Sequence, residues 1–170
     1  MRGFFYPVLV TVLLLAPSSS IRAEKPVRQR RILVNYDGGS TLYSRKGSQG
    51  PIRLTAEDLR EAIREVSFPG SQVDTVLLCI YAQVAYYPTR VGTMLGSLAT
   101  PEQKKKWPAN TQQWVANLNH FTKQGIDPWT VMIAEAKRQK REVLLSFRMN
   151  DGHDGVHLET RFWRKHKKFH

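Results

Sequence analysis

Apolar residues recur along this chain in two rhythms. In "RILVNY", "VDTVLLCIYAQV" and "REVLLSF" they follow one another almost without a break, and each run is only a few residues long. Such runs are too continuous for a strand with one face in water and predict strands buried on both faces. In "LTAEDLREAIREV" the rhythm changes. Leu59, Ile63 and Val66 return at helical spacing, and Thr55 with Asp58 three residues on predicts a capping box at the start. "TQQWVANLNHFTKQG" likewise predicts a helix, with Trp114, Leu118 and Phe121 on one side and Gly125 as its stop. Asp127 then caps another helix, with Pro128 at its first position and Trp129, Met132, Ile133 and Ala136 facing inward.

The predicted order is strand, helix, strand, helices, strand. That alternation argues for an α/β fold of parallel strands with helical crossovers. Residues 38–52 form a Gly/Ser-rich loop, and residues 84–110, with Pro88, Gly92, Gly96 and Pro101, read as a second, longer one. Two architectures share this pattern. A doubly wound nucleotide-binding sheet opens its first helix with a Gly-rich phosphate turn directly after the first strand. The glycines of "NYDGGSTLYSRKGSQGP" have neither that spacing nor that place. A (β/α)8 (TIM) barrel instead gathers polar residues where its strands end. Here the first strand ends in Asn35 and Asp37, the second leads to Tyr81 and Gln83, and the third to Arg148, Asn150 and Asp151. The barrel fits better. A complete barrel has eight strands and roughly 250 residues, so about three strands imply an incomplete one, with open edges and a tendency to self-associate.

The beginning of the chain belongs to none of this. Arg2, the apolar stretch "FFYPVLVTVLLLA" and the small residues up to Ala23 have the layout of a signal peptide over residues 1–23. The stretch is too short and interrupted for a membrane-spanning helix. The expectation is an exported protein, secreted or held in the periplasm or at the cell surface, with no stable membrane span after cleavage. Residues 24–30 read as a charged linker and residues 31–170 as the barrel portion.

Cleavage would leave 24 basic and 14 acidic side chains, a net charge of +10. The basic residues are scattered in short runs ("RQRR", "KKK", "KRQKR", "RKHKK") without interleaved aromatics. Charge of that kind is a solvated face rather than a nucleic-acid platform. The single cysteine, Cys79, sits within an apolar run and reads as a buried small hydrophobe with no disulfide partner.

Three segments together resemble a known family: "VDTVLLCIYAQVAYYPTRVGTMLG", "GIDPWTVMIAEAKRQKREVLLSFRMNDGHD" and "FWRKHKKFH". They are similar to the N-terminal part of secreted bacterial glycosyl-hydrolase-like, family 10-like, TIM-barrel proteins, and "SFRMNDGHD" is the most specific block. The resemblance spans about residues 30–170. It implies a polysaccharide-hydrolysing relative whose acid and nucleophile carboxylates would lie on later strands. Two departures are visible: where the family carries a His-Pro-Glu-Trp-like sequence, this chain has His166, Lys167, Lys168 and Phe169, and the family continues through further barrel strands.

Glycoside hydrolysis takes two carboxyl groups, about 5–5.5 Å apart for retention or 6.5–9.5 Å for inversion. The candidates at strand ends are Asp37, Asp151 and Asp154, although aspartates after strands also serve as loop caps. Arg148, Asn150, Asp151 and His153 suit hydrogen bonding to sugar hydroxyls, and Tyr81 suits a sugar ring. Arg148 has an equal claim as an ion-pair partner of Asp37 or Asp151. Asp151, His153, Asp154 and His157 include competent metal ligands, but at no recognised metal-site spacing, so no metal or other cofactor is expected. Tyr86 and Tyr87 divide between sugar stacking and packing. Trp114 and Trp129 read as core, and Trp107, between Lys106 and Pro108, as freer. The expected function is a carbohydrate-directed, glycosyl-hydrolase-like domain, not catalytically competent alone. The alternative is a non-catalytic basic surface or periplasmic protein that holds acidic glycans.

Overall fold

Among the described residues, the most apolar strand run becomes the centre of a sheet. The computed structural model describes residues 31–37, 53–148, 158–166 and 168. Strand β1 (Leu33–Tyr36) pairs in parallel with β2 (Thr75–Ala82), and β2 pairs in parallel with β4 (Glu142–Arg148). A two-residue strand, β3 (Val84–Ala85), folds back antiparallel on the end of β2 through Gln83, whose φ of 57° is in the left-handed region. The sheet is therefore α/β with three parallel strands in the order β1-β2-β4. The expected signal peptide, the linker and the loop of residues 38–52 lie outside the described residues.

Helices cover one face of this sheet. The first, α1 (Ala56–Ser67), starts with the expected capping box: Thr55 Oγ1 accepts from the Asp58 amide, and Asp58 Oδ2 accepts from the Thr55 amide at 2.7 Å. Its apolar stripe of Leu59, Ala62 and Ile63 is buried. Helices α3 (Ala109–Lys123) and α4 (Pro128–Arg138) add Trp114, Leu118, Phe121, Trp129, Met132 and Ala136 to the same core. Asp127 caps α4 as expected, accepting from the Trp129 amide and the Thr130 hydroxyl. Val76, Leu78 and Ile80 of β2 close the core from the sheet side.

Three polar ties lock the helices to one another and to the strands. Buried Asn117 of α3 accepts from the Leu54 amide at 3.1 Å, just before α1 begins. Arg141, just before β4, donates to the Ser67 and Phe68 carbonyls at the end of α1, both at 3.2 Å. Glu135 of α4 is only 3% exposed and takes hydrogen bonds from Arg64 of α1, Arg138 and Gln139. These bonds hold its carboxyl at about 2, with Arg138 the largest cause, burial opposing it, and Gln139 and Arg64 adding to it.

The segment expected as a long loop is more ordered than its composition suggests. It contains β3, a bridge from Ala85 to Met94, and a short helix α2 (Pro101–Lys105) capped by Thr100 and Gln103. Tyr86, Leu95 and Trp107 from this segment are buried. Trp107 is thus not the freer tryptophan its charged neighbours suggest. Gly96, with φ +70°, passes close to Val115; a β-carbon there would lie 2.9 Å from a Val115 methyl.

A second departure concerns the strands. Only β2 is buried as its apolar run predicts. In β1 and just before it, Leu33 and Ile32 are exposed, and in β4 Leu144, Leu145 and Phe147 are about half exposed. Among the described residues β1 and β4 each pair with β2 only, and these side chains are open beside the second edge, while Tyr36 and Val143 of the same strands pack against the core.

Candidate functional site

The face of the sheet opposite the helices carries a pocket of about 460 Å³ at the carboxyl ends of the parallel strands. It is lined by Asn35, Asp37, Leu77, Cys79, Ser146 and Arg148. The register explains this grouping. Asn35 pairs with Leu77, Cys79 with Ser146, and Ala82 with Arg148, and residues paired across a sheet point to the same side. Leu77 and Cys79 of the central strand form an apolar floor, and polar groups from the two flanking strands stand around it.

Arg148 ends β4 and Asp37 follows β1, on opposite sides of β2. Their side chains meet above it: Arg148 Nη1 donates to Asp37 Oδ1 at 3.1 Å and Oδ2 at 3.4 Å. Both remain partly open to water, at 39% and 62% side-chain exposure, so the pair adds little stability. It leaves two charged groups at the rim, where a ligand can exchange its own hydrogen bonds for theirs.

Tyr81 is not in this pocket. Between Cys79 and Tyr81 the pairing with β4 slips by one residue, so that Cys79 sits opposite Ser146 and Tyr81 opposite Phe147. Ser146 and Phe147 are consecutive and face opposite ways, and their partners do too. The bulge turns Tyr81 to the other face, where its ring centroid lies 5.9 Å from that of Phe147. An unbroken alternation would have kept it beside Cys79. Nothing in the local sequence announces the extra residue.

The structure thus brings Asp37 and Arg148 together and separates Tyr81 from them. Asn150, Asp151, His153, Asp154 and His157 lie outside the described residues. Asn35, Cys79 and Ser146 complete the lining. Cys79 is buried, at 1% exposure, as its run predicts, and also forms part of the pocket floor. Ser146 and Arg148 are two residues apart on β4, which is the signal by which Ser146 is found once Arg148 is chosen. Tyr86 resolves to packing: it is buried, its ring lies 4.8 Å from Trp114, and its carbonyl accepts from Trp129 Nε1 at 2.9 Å.

Among the described residues, Asp37 is the sole carboxylate lining the pocket, and no group of three or more His, Cys, Asp or Glu side chains is placed to hold a metal ion. Also among them, no helix is long and apolar enough to cross a membrane. Chemically, the pocket offers a carboxylate, a guanidinium, an amide and a hydroxyl around an apolar floor. That set can both donate and accept hydrogen bonds around an apolar surface. No family model and no curated protein matches the chain.

Proposed function

We propose that this chain is a carbohydrate-binding portion of an exported, glycosyl-hydrolase-like protein, with its three parallel strands forming part of a (β/α)8-type barrel. The observation that carries the proposal is the pocket of Asn35, Asp37, Ser146 and Arg148 at the carboxyl ends of the parallel strands. That is where α/β barrels bind their ligands. The resemblance of "SFRMNDGHD" and its neighbours to family 10-like barrel proteins supports the same reading, and the signal-peptide layout of residues 1–23 supports export to the periplasm, surface or medium. Among the described residues Asp37 is the carboxylate brought to this pocket, beside the Arg148 guanidinium.

In this proposal the Arg148 guanidinium and Asn35 amide donate to sugar hydroxyls, Asp37 and Ser146 accept from them, and the Leu77 floor receives an apolar sugar face. Calorimetric titration of the purified chain with neutral and acidic oligosaccharides tests it. Binding of a neutral oligosaccharide, little changed by salt and lost in Arg148→Ala and Asn35→Ala, is expected. Binding confined to acidic glycans and collapsing as salt rises would favour a charged surface instead. No saccharide binding at all would overturn the proposal.

A further inference from the structure

Strand β4 carries one row of main-chain groups that the sheet does not use. The Glu142 amide donates to the Asp74 carbonyl, toward β2, at 3.0 Å. Peptide groups alternate in direction along a strand. The N–H and C=O groups of Val143, Leu145 and Phe147 therefore face away from β2, and no described residue pairs with them. Exposed apolar side chains stand on both faces of this strand: Leu144 on the pocket face, and Leu145 and Phe147, at 48% and 50% exposure, on the helix face, while Val143 packs against the core. An edge that is long and apolar on both faces templates a further strand. β1 offers much less, being four residues long and having only Leu33 as an exposed large apolar residue.

The sequence of β4 matches itself. Laid antiparallel against a second copy with a two-fold axis through Leu145, Glu142 comes opposite Arg148, Val143 opposite Phe147, Leu144 opposite Ser146, and Leu145 opposite Leu145. The outward-facing residues 143, 145 and 147 meet one another in this register, so their N–H and C=O groups form hydrogen-bonded pairs. Glu142 and Arg148, each already paired within its own chain, to Arg31 and to Asp37 respectively, stand opposite one another at both ends, and Leu145, Val143 and Phe147 of the two copies form one apolar cluster on the helix face. Neighbouring registers lose these matches. A shift of one residue sets outward-facing groups against inward-facing ones. A shift of two sets Arg148 opposite either Lys140 or Leu144.

We propose that the chain forms a two-fold dimer through its β4 edges, merging two sheets into one and placing both pockets on the same side of it. Light scattering and sedimentation of the full chain, from micromolar to hundreds of micromolar, test it together with cross-linking. Expected are a concentration-dependent dimer, loss of that dimer in Leu145→Arg with an unchanged circular dichroism spectrum, and efficient capture of the Leu145→Cys variant by a short thiol-to-thiol cross-linker. Leu33→Cys, on the opposite edge, should not be captured as a dimer. A wild-type monomer throughout the range, a dimer that survives Leu145→Arg, or equal cross-linking at Leu33→Cys would each overturn the proposal. The cross-linking arm still decides the matter if Leu145→Arg fails to fold.

Discussion

The same three letters, Val-Leu-Leu, occur side by side in β2 and β4 and are buried to very different degrees. Val76, Leu77 and Leu78 pair in register with Val143, Leu144 and Leu145. Val76 and Leu78 are fully buried, whereas Leu144 is 43% and Leu145 48% exposed. Intrinsic strand preference cannot distinguish the two runs, because they are the same residues in the same order. What differs is the number of neighbours. β2 has a strand on either side; β4, among the described residues, pairs with β2 only, and α4 packs on it from one face. Burial here is a property of position in the sheet, and an apolar run states only that a strand tolerates burial on both faces.

Truncating the matched leucines separates the two strands most. Leu78→Ala removes a side chain packed on all sides and is expected to cost about 3 kcal/mol. Leu145→Ala, at concentrations where the chain is monomeric, is expected to cost less than about 1 kcal/mol, since surface changes lie in that range. Urea unfolding of both variants measures the difference, and equal losses would mean that β4 is as enclosed as β2.

The helical cover over β2 is held partly by Glu135, which ties α4 to Arg64 of α1. Glu135→Ala is expected to cost about 2 kcal/mol, below the cost of breaking a fully buried ion pair because the arginines regain water. The pH dependence has a definite sign. Folding lowers the Glu135 carboxyl from 4.5 to about 2, so its contribution is complete above the unfolded value and is lost as pH falls from about 4.5 toward 2. Stability curves of wild type and Glu135→Gln should therefore converge over that interval. Parallel curves would remove Glu135 from the account.

The smallest contrast is between Cys79 and Ser146, which face each other across β2 and β4. Cys79→Ser places a hydroxyl at a 1% exposed site and is expected to cost about 1 kcal/mol. Ser146→Ala, on the more open strand, is expected to stay within about 0.5 kcal/mol. Thermal melting resolves the two. A larger loss at Ser146 would mean that its hydroxyl is engaged within the pocket.

Much of the fold was legible in the sequence because it rests on local signals. The Thr55–Asp58 capping box, the Asp127 cap with Pro128, and the helical spacing of Trp114, Leu118 and Phe121 each depend on residues a few positions apart. So does the Thr100–Gln103 cap of α2, which lay unread inside a stretch whose prolines and glycines suggested only loop. The succession of strands and helices along the chain also followed from the alternation of patterns. The site was legible in part. Asp37 and Arg148 stand out as polar residues at strand ends, but their meeting depends on β1 and β4 flanking β2. The displacement of Tyr81 was not legible at all, since a one-residue slip in pairing has no counterpart in the local sequence. The exposure of Leu33 and Leu145 depends on which strands lie beside β1 and β4, about which an apolar run is silent.

The parallel pairing of β2 with β4 also has a consequence in time. Thr75 and Glu142, which adjoin in the sheet, are 67 positions apart in the chain. At synthesis rates of about 5–20 residues per second, β4 emerges about 3–13 s after β2. Helices and short loops form far faster than that. A nascent chain therefore has ample time to join β1, α1 and β2 while the strand destined to flank β2 has yet to be made. During those seconds the most apolar strand of the protein, not β4, is the one with a vacant side, and it is then that a chaperone would find the most to hold.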